Sequence, residues 1–266
     1  MEYLCQHCNE DINANFCSNC GQKRFKRIDK KYVLDEIQYV LIHTNKGFLY
    51  SAKNIIKNPG KTARNFIIGD RVNHYKPLLL VFLLSSMATF LGYKVLHMGD
   101  VMNEYFATQH MNSLFMNDMM SFLSSYTAFF YLMLIPIFAL CTKIAFSNWG
   151  QNYYEHIIMN SYIISCYMII SIVIIYPILY FFKTDIDTFV QISLFSTLTV
   201  PLIIIWFFKH YYPEKSLTTI IGRSLLSIVL AGIAYFILII IAVFGGFIYA
   251  AIKGPEALQY MMPPKA

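Results

Sequence analysis

Five long apolar runs dominate the chain, at residues 77–96, 121–144, 156–182, 188–208 and 224–252. Each is near or above the ~20 residues that a helix needs to cross a bilayer's hydrocarbon core. A helix that is apolar on all faces has no stable place on a soluble surface. The pattern therefore predicts an all-α polytopic membrane protein with about five transmembrane helices. The third and fifth runs exceed what a bilayer requires and predict tilt, a kink or extension past the hydrocarbon. Pro136, Pro177 and Pro201 fall inside the second, third and fourth runs. Each removes a backbone donor and can bend its helix, and packing rather than gating is the simpler reading. In the fifth run Ala242 and Gly246 form a small-xxx-small pair, joined by Gly245, that suits close helix approach.

Ahead of the first run the period changes. Val33, Leu34, Ile37, Val40 and Leu41 recur at helical spacing, with Lys30, Asp35, Glu36 and Gln38 on other faces. Phe48, Leu49, Ala52, Ile55 and Ile56 form a second stripe, interleaved with Lys46, Lys53 and Lys57 and ended by Pro59-Gly60. Basic amphipathic helices beside a span are expected to lie in the membrane interface or to pack onto the end of the bundle, and the two placements are compatible. The resulting division is 1–24 for a cysteine-bearing module and 25–76 for basic juxtamembrane helices. Residues 77–252 form the membrane domain and 253–266 a short tail.

Composition supports lipid as solvent: 57% of residues are hydrophobic and only 14% charged, where soluble domains carry about a quarter charged. Residues 1–76 hold 13 Lys/Arg against 7 Asp/Glu, and residues 77–266 hold 8 of each. The whole excess of six positive charges therefore precedes the first span, where an anionic membrane surface is a better partner than nucleic acid. Lys23, Arg24, Lys26 and Arg27 with a single aromatic, Phe25, argue only weakly for nucleic acid. No apolar segment opens the chain, so the first run is expected to act as an uncleaved signal anchor. Asp100, Glu104 and Asp118 lie between Leu96 and Ser121 without a Lys or Arg, and Lys209, Lys215 and Arg223 lie between the fourth and fifth runs. The positive-inside rule then places the N-terminus in the cytosol and the C-terminus outside, although Lys253 and Lys265 in the tail run against it.

Cys5-x2-Cys8 is followed by Cys17-x2-Cys20-Gly21. Two such knuckles present four thiolates, which is the ligand set of a closed, structural zinc site. In a reducing cytosol metal is favoured over a disulfide framework. So small a module cannot bury an adequate core, and metal binding would supply its folding energy. Four cysteines leave no open coordination position, so Zn2+ is expected as a structural cofactor and not a catalytic one. His7 reads as a bystander, and Cys141 and Cys166, single in separate spans, as small apolar fillers.

The chain resembles a family of uncharacterised bacterial membrane proteins that join an N-terminal zinc ribbon to a membrane domain of unknown function. The matching pieces are Phe16-Cys17-Ser18-Asn19-Cys20-Gly21-Gln22, Gly47-Phe48-Leu49, Asn58-Pro59-Gly60, Arg64, Ile68-Gly69-Asp70-Arg71, Tyr75-Lys76-Pro77 and Asn152-Tyr153-Tyr154-Glu155-His156. Some members carry further histidines after the Glu-His pair, where this chain has Tyr162 and Ile164. The resemblance implies the architecture and the bacterial plasma membrane, and no activity. Five spans with a cytosolic N-terminus are also similar to the Yip1-type fold.

Two constellations stand out as candidate sites. Lys61, Arg64, Arg71, His74 and Lys76 gather positive charge ahead of the first span, where an anion or lipid headgroup would fit; the plainer reading is that they anchor the topology. Glu155 and His156, with Asn160 and Tyr162 further along, put polar groups near the start of the third span, where they could bind a cation or relay protons. A structural pairing of Glu155 with Arg64 or Arg71 is the preferred account. Ser124, Ser125 and Thr127 in the second run, and Gln191, Ser193, Ser196, Thr197 and Thr199 in the fourth, can bond between helices or line a narrow path.

No phosphate loop, H-E-x-x-H or G-x-S-x-G motif occurs, so an enzyme is the least favoured class. The leading expectation is a membrane scaffold or regulator whose ribbon binds a cytosolic protein while the basic helices hold anionic lipid. The alternative is a transporter or channel for a small solute, ion or lipid, with the ribbon as a structural cap. Self-association is an open partner class under either.

Overall fold

The computed structural model describes residues 4–5, 8, 10–11, 14–21, 47–71, 74–110 and 113–253, with the backbone alone at 247, 249–251 and 253. The amphipathic pattern at 30–41, the basic run Lys23 to Arg27, His7 and the tail beyond Lys253 lie outside these residues. The chain divides into two compact units, Met1–Asn45 and Lys46–Ala266.

In the first unit, the only β pairing among the described residues is an isolated bridge between Leu4 and Asp11. In the second unit the described residues form helices joined by turns, with no strand among them. Five helical segments are long and apolar enough to cross a membrane: Pro77–Val95, Leu114–Ala145, Tyr153–Phe181, Ile186–Tyr211 and Leu217–Gly246. They match the five apolar runs, mostly with extra polar or interfacial turns at their ends.

Two short helices precede the bundle, α1 (Gly47–Lys57) and α2 (Pro59–Ile68). Asn58 separates them, and its side chain accepts from the Lys61 N–H at 2.9 Å to cap α2, with Pro59 at the first position. Helix α1 turns Gly47, Ser51 and Ile55 inward, and the Ser51 hydroxyl accepts from the Tyr75 N–H at 2.8 Å. Leu49, Lys53, Ile56 and Lys57 stay exposed on its other side. The expected packing onto the bundle is met by one face of α1, and a mixed apolar and basic face looks out.

Helix α2 docks more intimately. A Cβ at Gly60 would press into the Phe207 carbonyl oxygen and lie 2.8 Å from the Tyr211 nitrogen. Only glycine lets the start of α2 touch the last turns of the fourth span at this separation.

The first span is α3 (Pro77–Phe90), continued by a π turn at Leu91–Val95. His97, at φ 52°, turns the chain into α4 (Met98–Thr108). The second span is α5 (Leu114–Ala145), capped by Ser113, whose hydroxyl accepts from the Met116 N–H at 3.1 Å. The third begins as α6 (Tyr153–Ile170), loosens into a π turn at Ser171–Ile175 and ends as α7 (Tyr176–Phe181). The Tyr176 N–H bonds Ser171 O in the π register, directly before Pro177. The fourth comprises α8 (Ile186–Ser196) and α9 (Thr199–Tyr211). Its break has a plain cause: Pro201 lacks the N–H that Thr197 O would take, and the Val200 N–H bonds that oxygen instead at 3.1 Å. The fifth is α10 (Leu217–Lys253).

Helix α6 is the centre, packed by α1, α2, α3, α5 and α9. At the end of the bundle where α2 docks, Phe146 stacks on Phe208 at 4.0 Å and Tyr212 donates to Gln151 at 2.6 Å. Arg223 donates to the Ala145 carbonyl at 2.6 Å, tying α10 to the end of α5. Beyond Ser227, α10 has no buried side chain among the described residues.

Candidate functional site

The four cysteines of the first unit come together. Their sulfurs all lie within 4.8 Å of one another, and Cys5–Cys20, Cys8–Cys17 and Cys8–Cys20 are each separated by 3.5 Å. A tetrahedral ion with metal–sulfur bonds of about 2.3 Å requires sulfurs about 3.8 Å apart, so the set fits a tetrahedral metal. Each knuckle is closed by its backbone: the Cys5 N–H bonds Glu10 O at 2.8 Å, and the Gly21 N–H bonds Cys17 O at 3.0 Å. Gly21, at φ 73°, occupies the left-handed region that lets the second knuckle turn away. The Cys20 backbone N–H points at the Cys17 sulfur and lowers its pKa below the usual thiol value, which favours the thiolate a metal needs. Cys141 and Cys166 are buried singly in separate spans, as fillers should be.

The basic cluster does not converge on one point. Lys61 and Lys76 are exposed and Arg64 is half-buried. Arg71 folds back onto the end of α2, donating to Phe66 O at 3.2 Å with its guanidinium 5.5 Å from the Phe66 ring centre. His74 packs edge-on to Tyr50 and Phe66. Burial pushes the His74 pKa down, and the Asp70 carboxylate opposes that in part.

The expected pairing of Glu155 with Arg64 or Arg71 is not made. Among the described residues, His97 and Asp100 form an ion pair. Glu155 instead caps its own helix: its carboxylate accepts from the Asn152 N–H at 2.7 Å, while the Asn152 side chain accepts from the Glu155 N–H at 2.9 Å. Local geometry wins because a capping box closes within four residues. His156 and Asn160 do share a face and meet Thr142 of α5. Asn160 donates to the Thr142 hydroxyl at 2.8 Å, and His156 Nδ1 lies 3.1 Å from the same oxygen. The cluster is buried, and His156 Nε2 has no partner. Tyr162, fully buried on a different face, packs against Phe66 and leaves its hydroxyl unpaired. Neither of the two cavities described next is lined by Glu155, His156 or Arg71.

Two cavities lie toward the end of the bundle remote from α2. An open groove of about 570 Å³ runs between α3, α4 and α5, lined by Phe82, Phe90, Phe129, Ser124 and Ser125, with Lys94 and Asp100 also on its wall. An inner chamber of about 230 Å³ lies between α3, α5, α6, α7 and α8. Thr89 and Tyr93 line both, so the two spaces adjoin. Both π turns reach the chamber, the first through Gly92 and Tyr93, the second through Ser171 and Ile175. Tyr93, Tyr131, Tyr167 and Tyr176 line it, and Tyr131 is within electrostatic reach of the other three phenols. The Ser171 hydroxyl is buried there without a partner. Ser124, Ser125, Thr127, Ser193 and Ser196 were legible as path-lining candidates. The tyrosines and Ser171 were not, although Gly92-Tyr93 and the approach to Pro177 carried a faint signal of irregular helix.

No family model matches the chain, and no curated protein and no solved structure matches it either.

Proposed function

We propose that this polytopic membrane protein binds a small ligand in the chamber between its two π turns and moves it across the membrane, as a transporter or channel of small solutes, ions or lipids. The observation that carries this reading is the chamber itself, a hydroxyl-lined space adjoining an open groove, with the buried Ser171 hydroxyl unpartnered. A bundle that served only as an anchor would gain by filling that volume with side chains. Broken helices around a polar cavity are tolerated in lipid because the cavity supplies partners for the freed backbone groups. In this reading the basic helices and the four-cysteine module face the cytosol of a bacterial plasma membrane, the exposed face of α1 touches anionic lipid, and the chamber opens outward. The module holds one structural Zn2+ through Cys5, Cys8, Cys17 and Cys20, whose sulfur spacing suits it.

The four-cysteine module also favours a second reading, a scaffold whose metal-ordered knuckles hold a cytosolic protein. Gentle purification followed by native mass spectrometry separates the two, using wild type, a Cys17→Ser/Cys20→Ser variant and a Ser171→Trp variant that fills the chamber. A small molecule or ion retained by wild type and the cysteine variant, and lost from Ser171→Trp, supports transport. A stoichiometric protein lost only from the cysteine variant, with no small ligand in any form, replaces transport with the scaffold.

A further inference from the structure

The chemistry of the chamber wall selects a class of ligand. Among its lining residues there is no Lys, Arg, His, Cys, Asp or Glu. Thr89 donates its hydroxyl proton to Ser85 O at 2.8 Å, Thr127 to Leu123 O at 2.6 Å, Ser193 to Phe189 O at 2.8 Å and Ser196 to Ser193 O at 2.6 Å. With their protons committed to helix carbonyls, these oxygens have only lone pairs left to offer. The buried Ser171 hydroxyl is not so committed.

A wall rich in acceptors and free of positive charge disfavours an anion. Divalent cations bind through carboxylates, and none lines the chamber. Softer metals take thiolate or imidazole, which are also missing from the wall. What remains suited to uncharged hard oxygens is a single positive charge. We infer that the chamber is a binding site for a monovalent alkali-metal cation, held by the lone pairs of Thr89, Thr127, Ser193 and Ser196 together with Ser171 and the tyrosine oxygens. The inference rests on the transport reading and names the substrate or coupling ion of the same site. Asp100, on the wall of the adjoining groove, is placed to draw a cation in, and Lys94 on that wall opposes it. Tyr93, shared by the two spaces, stands at their junction.

The test uses the full-length protein in detergent micelles. Thermal unfolding is followed in lithium, sodium, potassium or rubidium chloride, with N-methyl-D-glucamine chloride holding the ionic strength constant. One alkali ion is expected to raise Tm saturably. In a Tyr131→Phe/Tyr176→Phe variant, which removes two oxygens and almost no volume, its apparent affinity falls at least tenfold, while Tm in N-methyl-D-glucamine is kept. Equilibrium binding of radioactive sodium or rubidium to wild type should reach about one ion per chain, and this arm decides the matter if the Phe variant does not fold. No alkali-ion effect and no bound ion overturns the inference, as does stabilisation by tetramethylammonium alone, which would mean recognition by ring faces. The entry of water into the chamber is scored in the same preparation by the reactivity of a Ser171→Cys thiol. A reactive thiol without cation binding refutes the cation and leaves the chamber standing, whereas an unreactive thiol without cation binding removes both.

Discussion

Gly60→Ala is the sharpest perturbation of the scaffold that carries the chamber. In an ordinary helix interior the change stabilises by about 1 kcal/mol, because alanine has the better propensity. At Gly60 the added carbon would lie 2.8 Å from the Tyr211 nitrogen and 3.1 Å from the His210 carbonyl carbon, and nearer still to the Phe207 oxygen. These are backbone atoms of α9, so no rotamer change relieves the clash, and α2 must retreat by about 1 Å to reach ordinary contact near 3.5 Å. Overpacking of this kind costs roughly 1–3 kcal/mol. The rigid partner argues for the upper end, and Thr62 and Ala63, buried on the same helix, loosen with it. The net expectation is about 2 kcal/mol of destabilisation, a fall in Tm of roughly 4–8 °C for a domain of this size. Gly222→Ala is the internal control, since a Cβ there meets nothing within 4 Å and should raise Tm slightly. Thermal unfolding of both variants in detergent, with limited proteolysis of the α1–α2 segment, reads the outcome. A Gly60→Ala protein as stable as Gly222→Ala would refute the close docking of α2 on α9.

Other consequences are separately measurable. Thr142→Val removes the oxygen that both His156 and Asn160 approach and should cost about 2 kcal/mol, because buried polar groups are left unpaired; an unchanged Tm would argue against the cluster. His74 has its pKa pushed below 6.5 by burial, so the folded state resists its protonation. Its contribution is therefore complete above pH 6.5 and declines as the pH falls through 6.5 toward the depressed value. His74→Phe should flatten that part of the Tm–pH profile, and an unaltered profile would count against the buried placement. Replacing Cys17 and Cys20 by Ser should lower bound zinc, measured by elemental mass spectrometry, from about one equivalent per chain to about zero; zinc retained in full would place the metal elsewhere.

The spans were legible because lipid imposes a long, nearly unbroken apolar run, a signal that needs no tertiary information. Their ends were less so: the second helix begins at Leu114 rather than 121, because its first turns, including Asn117 and Asp118, are polar and extend beyond the apolar run. The four cysteines were readable from spacing alone, since two knuckles leave little freedom in how four sulfurs meet. Glu155 was misread as an interhelical partner, although Asn152-x-x-Glu155 carries the capping pattern in its spacing. The chamber was only half visible. Serines and threonines announce themselves in an apolar run, but Tyr131, Tyr167 and Tyr176 are indistinguishable there from interfacial aromatics. What assembles them is a pair of π turns, each inserting one residue into a helix and rotating the faces beyond it. Helical periodicity read along one strand of sequence does not register that rotation until the neighbouring helices are in place.

The central claim, a water-accessible chamber open at the end of the bundle remote from α2, is most directly tested by thiol labelling. Ser171→Cys is introduced with Cys141→Ala and Cys166→Ala, and intact cells or oriented vesicles are treated with a membrane-impermeant thiol reagent. The account predicts modification from the side of the membrane opposite α1 and α2, slowed when Tyr93, at the junction of groove and chamber, is replaced by Trp. A thiol that stays unmodified from both sides, in a protein whose Tm matches wild type, would contradict it and leave the bundle a closed anchor.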